Sequence, residues 1–208
     1  MSVRVKICGV TNVEDALAAV DAGADALGFM FYEPSPRNVS PEVAGNIIRE
    51  LPPFVAKVGV FVNAAEKAVL ETISFCGLDT LQFHGDETPE FCRKFSPRKV
   101  YKAFRIQNLE SVQSLSAYKA DAWLLDGFAS DKLGGSGEKF NWDLAIEARK
   151  LGRPIILAGG LNPENVADAV RKVRPYAVDV SSGVEAAPGK KDHAKVRAFI
   201  KAVRRVEQ

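Results

Sequence analysis

The chain has almost no net charge. Its 28 basic and 26 acidic residues leave a formal +2, which gives no reason to expect a nucleic-acid partner, and the basic closing segment IKAVRRVEQ reads as a solvated helix face. Long apolar runs are missing too. None approaches the ~20 residues of a membrane span, so no membrane partner is expected. Cysteine is scarce: the three, at positions 8, 76 and 92, are odd in number and share no metal-ligand spacing. The opening MSVRVKICG reads as a strand rather than a secretory leader. Together these argue against a disulfide framework and for a reducing, cytoplasmic setting. No linker or shift in composition interrupts the 208 residues, so one domain spanning 1–208 is expected, with 47% apolar residues to build its core.

What is present is one pattern, repeated. Short apolar or β-branched runs alternate with amphipathic segments: VRVKICG, DALGFMF, VAKVGVFV, DTLQFHG, KVYKAFRI, AWLLDGF, PIILAGG and YAVDVSSG. They begin near residues 3, 25, 55, 79, 99, 122, 154 and 176, a step of roughly 25 residues that suits a βα unit. Helix starts fall between them. Asn12 precedes Glu14 and Asp15, and Ser40 and Asn162 each stand before a proline suited to a first helical position. NLESVQSLSAYKA reads as the fifth helix. Near-continuous apolar strands, each followed by a helix, imply a parallel sheet covered by helices. Eight such units predict an α/β fold with a single (β/α)8 TIM barrel.

In such a barrel the strand ends converge on the carboxyl face, where active sites are built. Cys8 ends the first strand, His84 the fourth, and Asp126 lies near the end of the sixth. Gly159 and Gly160 close the seventh strand and Ser181, Ser182 and Gly183 the eighth, while Arg37 sits in the long second loop. Glycine-rich turns after strands seven and eight mark the phosphate-binding type of barrel, so a phosphorylated small molecule is the expected ligand. Each polar residue has a plainer role open to it. Cys8 reads equally as a small core hydrophobe, Asp126 as a structural carboxylate, His84 as a hydrogen-bond anchor, and Arg37 as a solvated charge whose planar fork suits a carboxylate. Strand alternation puts Lys6 on the side of Cys8, one layer deeper, where Asp179 of the adjacent eighth strand is a candidate partner.

The blocks VKICGVTNVEDALAAVDAGADALGFMFYEPSPRNVSP, LQFHGDE, LLD followed by GGSGEKFNW, LAGGLNPENV and VDVSSGVEAAPGKKD together resemble the phosphoribosylanthranilate isomerase family, collinearly along essentially the whole chain. The resemblance implies an isomerase of tryptophan biosynthesis that performs an Amadori rearrangement with neither cofactor nor metal. It implies Cys8 as general base, Asp126 as general acid and Arg37 as the ligand of the substrate carboxylate. Backbone around Gly159, Gly160, Ser181, Ser182 and Gly183 would hold the phosphate, His84 would contact substrate, and Gly135 and Gly137 of GGSG would let the sixth loop close. Reference pKa values of ~3.9 for Asp and ~8.5 for Cys oppose the required states at neutral pH. Cys8 therefore needs a positive neighbour, either Lys6 or the substrate iminium.

Two other readings stay open at this level: a barrel lyase or synthase with a Schiff-base lysine, and a sugar-phosphate binder without turnover. The oligomeric state is open as well, monomer or homodimer. LPPF at 51–54 is either a contact patch or a loop.

Overall fold

A computed structural model describes residues 2–127 and 142–206. Eight parallel strands close into a barrel in chain order. They are β1 (Arg4–Cys8), β2 (Ala26–Phe31), β3 (Ala56–Phe61), β4 (Thr80–Phe83), β5 (Lys99–Ile106), β6 (Ala122–Gly127), β7 (Ile155–Leu157) and β8 (Ala177–Val180). Each starts within one residue of its expected position. The helices are α1 (Val13–Asp21), α2 (Pro41–Arg49), α3 (Glu66–Cys76), α4 (Pro89–Arg93), α5 (Leu109–Gln113), α6 (Trp142–Lys150), α7 (Val166–Val173) and α8 (His193–Arg205). A small hairpin, β9 (Glu185–Ala187) and β10 (Lys190–Lys191), is inserted before α8. None of the described helices is long and apolar enough to cross a membrane.

Local chemistry sets most helix starts. The Asn12 side chain accepts from the N–H of Asp15, and Ser40 accepts from Val43 with Pro41 behind it. Two expectations are corrected. Asn162 does not cap a helix at Pro163; its Oδ1 accepts from Glu164 and Asn165 N–H groups and closes a turn, and α7 begins at Val166. An Asx turn and an N-cap use the same side-chain-to-backbone bond, so sequence alone does not separate them. The fifth helix is short as well: after Gln113 the chain tightens into a 3₁₀ turn over Ser114–Ala117.

Two apolar layers hold the fold. The larger lies between barrel and helices and includes Ile7, Phe29, Leu81, Trp123 and Phe199. The other fills the barrel, with Ala103, Ala122, Leu124, Ile156, Ala158 and Ala177 around Tyr101. These inward side chains are mostly small, which leaves room for a polar layer nearer the carboxyl mouth. Helix α4 has only five residues, too few to stand alone. Phe91 and Phe95 fix it, each within 5.3 Å of the Phe83 ring centroid.

Candidate active site

Strand alternation brings Lys6 and Cys8 of β1 into the barrel, and closure puts Lys6 in register with Asp179 of β8. The expected pair is present: Lys6 Nζ lies 2.7 Å from Asp179 Oδ1, and both side chains are buried. Cys8 is buried opposite Gly28 of β2. A Cβ at Gly28 would stand 2.7 Å from Cys8 Sγ and 3.0 Å from Lys6 Nζ. The absence of a side chain there is what lets ammonium and thiol share one space. Burial pushes the Cys8 thiol up from its ordinary pKa, against a downward pull from Lys6 and, more weakly, from Lys191. Burial opposes the Lys6 charge, but Asp179 and Cys8 more than reverse that, and the ammonium is held above its usual value. The other thiols lie apart from this mouth: Cys76 donates to the Pro41 carbonyl at 3.3 Å, and burial drives Cys92 up to about 11 despite the opposing pull of Lys102.

Asp126 of β6 is partly exposed at the mouth. His84 Nε2 lies 3.2 Å from its Oδ2, and Gln82 Nε2 lies 3.0 Å from His84 Nδ1. With the amide donating, Nδ1 is the acceptor and Nε2–H points at the carboxylate. His84 thus touches Asp126 directly and is oriented from its other ring nitrogen by Gln82, a residue that the sequence reading did not select. Gly159 (φ +78°) approaches the same carboxylate: a Cβ there would collide with Gly127 N and stand 2.8 Å from Asp126 Oδ1. Its neighbour Gly160 (φ +67°) faces open space. Gly183 packs against the Leu161 carbonyl so closely that a Cβ would not fit, which joins the β7 and β8 loops. Ser182 opens the 3₁₀ turn Ser182–Val184. The Ser181 hydroxyl is buried with no partner among the described residues, beside Gly9 and the Arg37 stem. Gly135 and Gly137 lie outside the described residues.

Arg37 is not the freely solvated charge that its loop position allows. Its Nε and Nη2 donate to Glu185 Oε1 and Oε2 at 2.8 and 2.6 Å. Lys191, fully buried, reaches the same carboxylate at 2.8 Å and the Cys8 carbonyl at 2.6 Å. Burial raises the Glu185 pKa, but Arg37 and Lys191 outweigh it and hold the group below the usual range. Neither Glu185 nor Lys191 was selected from sequence. Both fall inside VDVSSGVEAAPGKKD, so the block itself was the available signal. Lys102 faces away from the mouth: its ammonium is taken by the carbonyls of Gly85 and Ala103 at 2.7 and 2.9 Å and by Glu87 at 3.4 Å.

The geometry therefore sets a thiol beside a buried ammonium, a carboxyl–imidazole pair, a tethered arginine and two touching glycine-bearing loops around one barrel mouth. Comparison with known proteins agrees along nearly the full length. A family model described as N-(5'-phosphoribosyl)anthranilate (PRA) isomerase matches residues 5–202. The chain is 56% identical over 203 residues to the N-(5'-phosphoribosyl)anthranilate isomerase of Citrifermentans bemidjiense, covering 98% of each. It resembles a crystal structure of phosphoribosyl anthranilate isomerase in complex with reduced 1-(o-carboxyphenylamino)-1-deoxyribulose 5-phosphate, with TM-score 0.89, 48% identity and coverage of 97% of this chain and 98% of that one. It also resembles monomers generated from the dimeric phosphoribosylanthranilate isomerase of Thermotoga maritima, with TM-score 0.87, 46% identity and coverage of 97% and 98%. The chain belongs to the N-(5'-phosphoribosyl)anthranilate isomerase family.

Proposed function

We propose that the chain converts N-(5'-phosphoribosyl)anthranilate to 1-(2-carboxyphenylamino)-1-deoxyribulose 5-phosphate in cytoplasmic tryptophan biosynthesis, as one catalytic domain. The observation that carries this reading is the convergence of Cys8 and the Asp126–His84 pair on one mouth, in a chain that matches the family from end to end. Asp126, in its acid form, protonates the furanose ring oxygen, and the ring opens to a Schiff base. The Cys8 thiolate then removes the C2′ proton, now acidified by the iminium, and the resulting enolamine tautomerises to the ketone. His84 Nε2–H steadies the carboxylate that Asp126 becomes after giving up its proton. The backbone of Gly160, Ser181, Ser182 and Gly183 binds the phosphate. Gly159 takes a smaller part, because it is packed against Asp126 and Gly127. Arg37 takes the anthranilate carboxylate.

Expression in a tryptophan auxotroph lacking this isomerase tests the assignment. Growth is the expected result, and failure of the folded wild-type protein to restore growth refutes it.

We also infer that the protein is a homodimer, as the Thermotoga maritima relative is described. Phe54 is 99% exposed at the amino end of the barrel, beside a cavity of about 330 Å³ lined by Arg4, Tyr101 and Tyr176. With the half-exposed Tyr176 in the same lining, Phe54 forms an apolar patch rather than a lone side chain, which supports a contact between two copies through this end. Sedimentation equilibrium is expected to give a dimer for the wild type and a monomer for Phe54→Glu. A monomeric wild type, or a dimer that tolerates the glutamate, rules this contact out.

A further inference from the structure

A guanidinium has two forked edges, one made by Nε and Nη2 and the other by Nη1 and Nη2. Glu185 takes the first edge of Arg37 with both of its oxygens. Among the described residues nothing takes the second, and about one-fifth of the side chain is exposed. Glu185 is itself over-determined. Its Oε1 also accepts from Lys191 Nζ at 2.8 Å and from the Gly189 N–H at 3.3 Å, and only 5% of its side chain is exposed. Lys191 in turn holds the Cys8 carbonyl at 2.6 Å and the Ser181 carbonyl at 3.4 Å. Its own N–H goes to Asp15 Oδ2 at 2.8 Å, whose other oxygen lies 2.7 Å from His193 Nε2.

The charges of this cluster matter as much as its shape. Arg37 and Glu185 alone would cancel and would offer an arriving anion no net attraction. With Lys191 behind Glu185, the three groups carry one net positive charge, and Arg37 is the most exposed of the three. The grip on the Cys8 carbonyl ties the same cluster to the residue next to the reacting carbon.

We propose that Glu185 and Lys191 are positioning residues: they turn the free fork of Arg37 into the barrel mouth, and thereby make the aromatic carboxylate of the ligand a requirement for tight binding. The proposal rests on the reading of Arg37 as the carboxylate ligand and adds the two groups that aim it. A purely structural role for the hairpin would not distinguish a ligand with a carboxylate from one without.

Two probes test this: reduced 1-(o-carboxyphenylamino)-1-deoxyribulose 5-phosphate and its counterpart lacking the ring carboxyl group, titrated calorimetrically against wild type, Glu185→Gln and Lys191→Met. The wild type is expected to prefer the carboxylated ligand. Each variant should lose about tenfold of that preference, the usual scale for one charge-assisted hydrogen bond, while binding the other ligand within about twofold of wild type. Equal losses for both ligands, or an unchanged preference, overturn the positioning role. A wild type without preference refutes the Arg37 reading and this proposal with it, and a wild type that binds neither ligand refutes the substrate assignment as well. Glu185→Gln keeps the shape of the side chain, so it decides the matter even where Lys191→Met fails to fold.

Discussion

Asp126→Asn and Cys8→Ala are each expected to lower kcat by roughly 100- to 10,000-fold, the range that a positioned acid or base contributes. Asparagine keeps the size of Asp126 and its contact with His84, but it has no carboxyl proton to give the ring oxygen. Alanine removes the thiol without adding bulk to the tight space that it shares with Lys6 at Gly28, so the barrel is not overfilled. Steady-state kinetics with circular dichroism as a folding control checks both. Either variant retaining turnover within about tenfold of wild type removes that residue from the role assigned to it.

The pH dependence follows from the sign of the Cys8 shift. Burial raises this thiol above its ordinary value, so the thiolate is a minor species at neutral pH and grows as pH rises. The base-dependent limb of kcat/KM is therefore expected to climb with pH in the free enzyme. Lys6→Met takes away the nearest positive charge and leaves Asp179 behind, and both changes move that limb to higher pH. A limb that stays in place means the ammonium does not act on the thiol.

Lys6→Met carries the largest expected cost in stability, about 3–5 kcal/mol, because it leaves the Asp179 carboxylate in the barrel with its counter-charge gone. The barrel interior offers little to replace it, since the neighbouring inward groups are mostly small and apolar. The double variant Lys6→Met/Asp179→Leu should recover most of the loss, because removing both charges removes the desolvation cost with them. Denaturant unfolding of the single and double variants measures this, and a double variant no more stable than Lys6→Met contradicts it. Lys6 is held above its ordinary pKa in the folded state. Its contribution is thus fully present below the unfolded lysine value of ~10.4 and is lost only as pH rises through the higher folded value. The contribution of Lys6 to wild-type stability should accordingly be constant across the neutral range.

Much of this was legible in the chain because a barrel repeats one unit and alternates its side chains. Strand starts follow from apolar runs, and the Lys6–Asp179 pair follows once the eighth strand closes on the first. Residues at strand ends, Cys8 and Asp126, are bound to reach the same mouth. The helix starts were less legible. Asn12 and Ser40 cap as their surroundings suggest, but Asn162 uses the same bond to make a turn, and only the path of the β7 loop decides between them.

By itself, the sequence determined the periodic architecture, the carboxyl-face residues and the family, since each depends on local pattern or on collinear blocks. Tertiary structure alone decided which charges outside the Lys6–Asp179 pair are spent on one another. Glu185 and Lys191 are hairpin residues that the sequence reading did not select, and Arg37 lies about 150 positions away from them in the chain. Their meeting, the small gap at Gly28 shared by thiol and ammonium, and the contact of His84 with Asp126 all arise between strands and loops separated in sequence. Burial and partner choice at such contacts are set by closure of the barrel, a property of the whole chain that no short stretch contains.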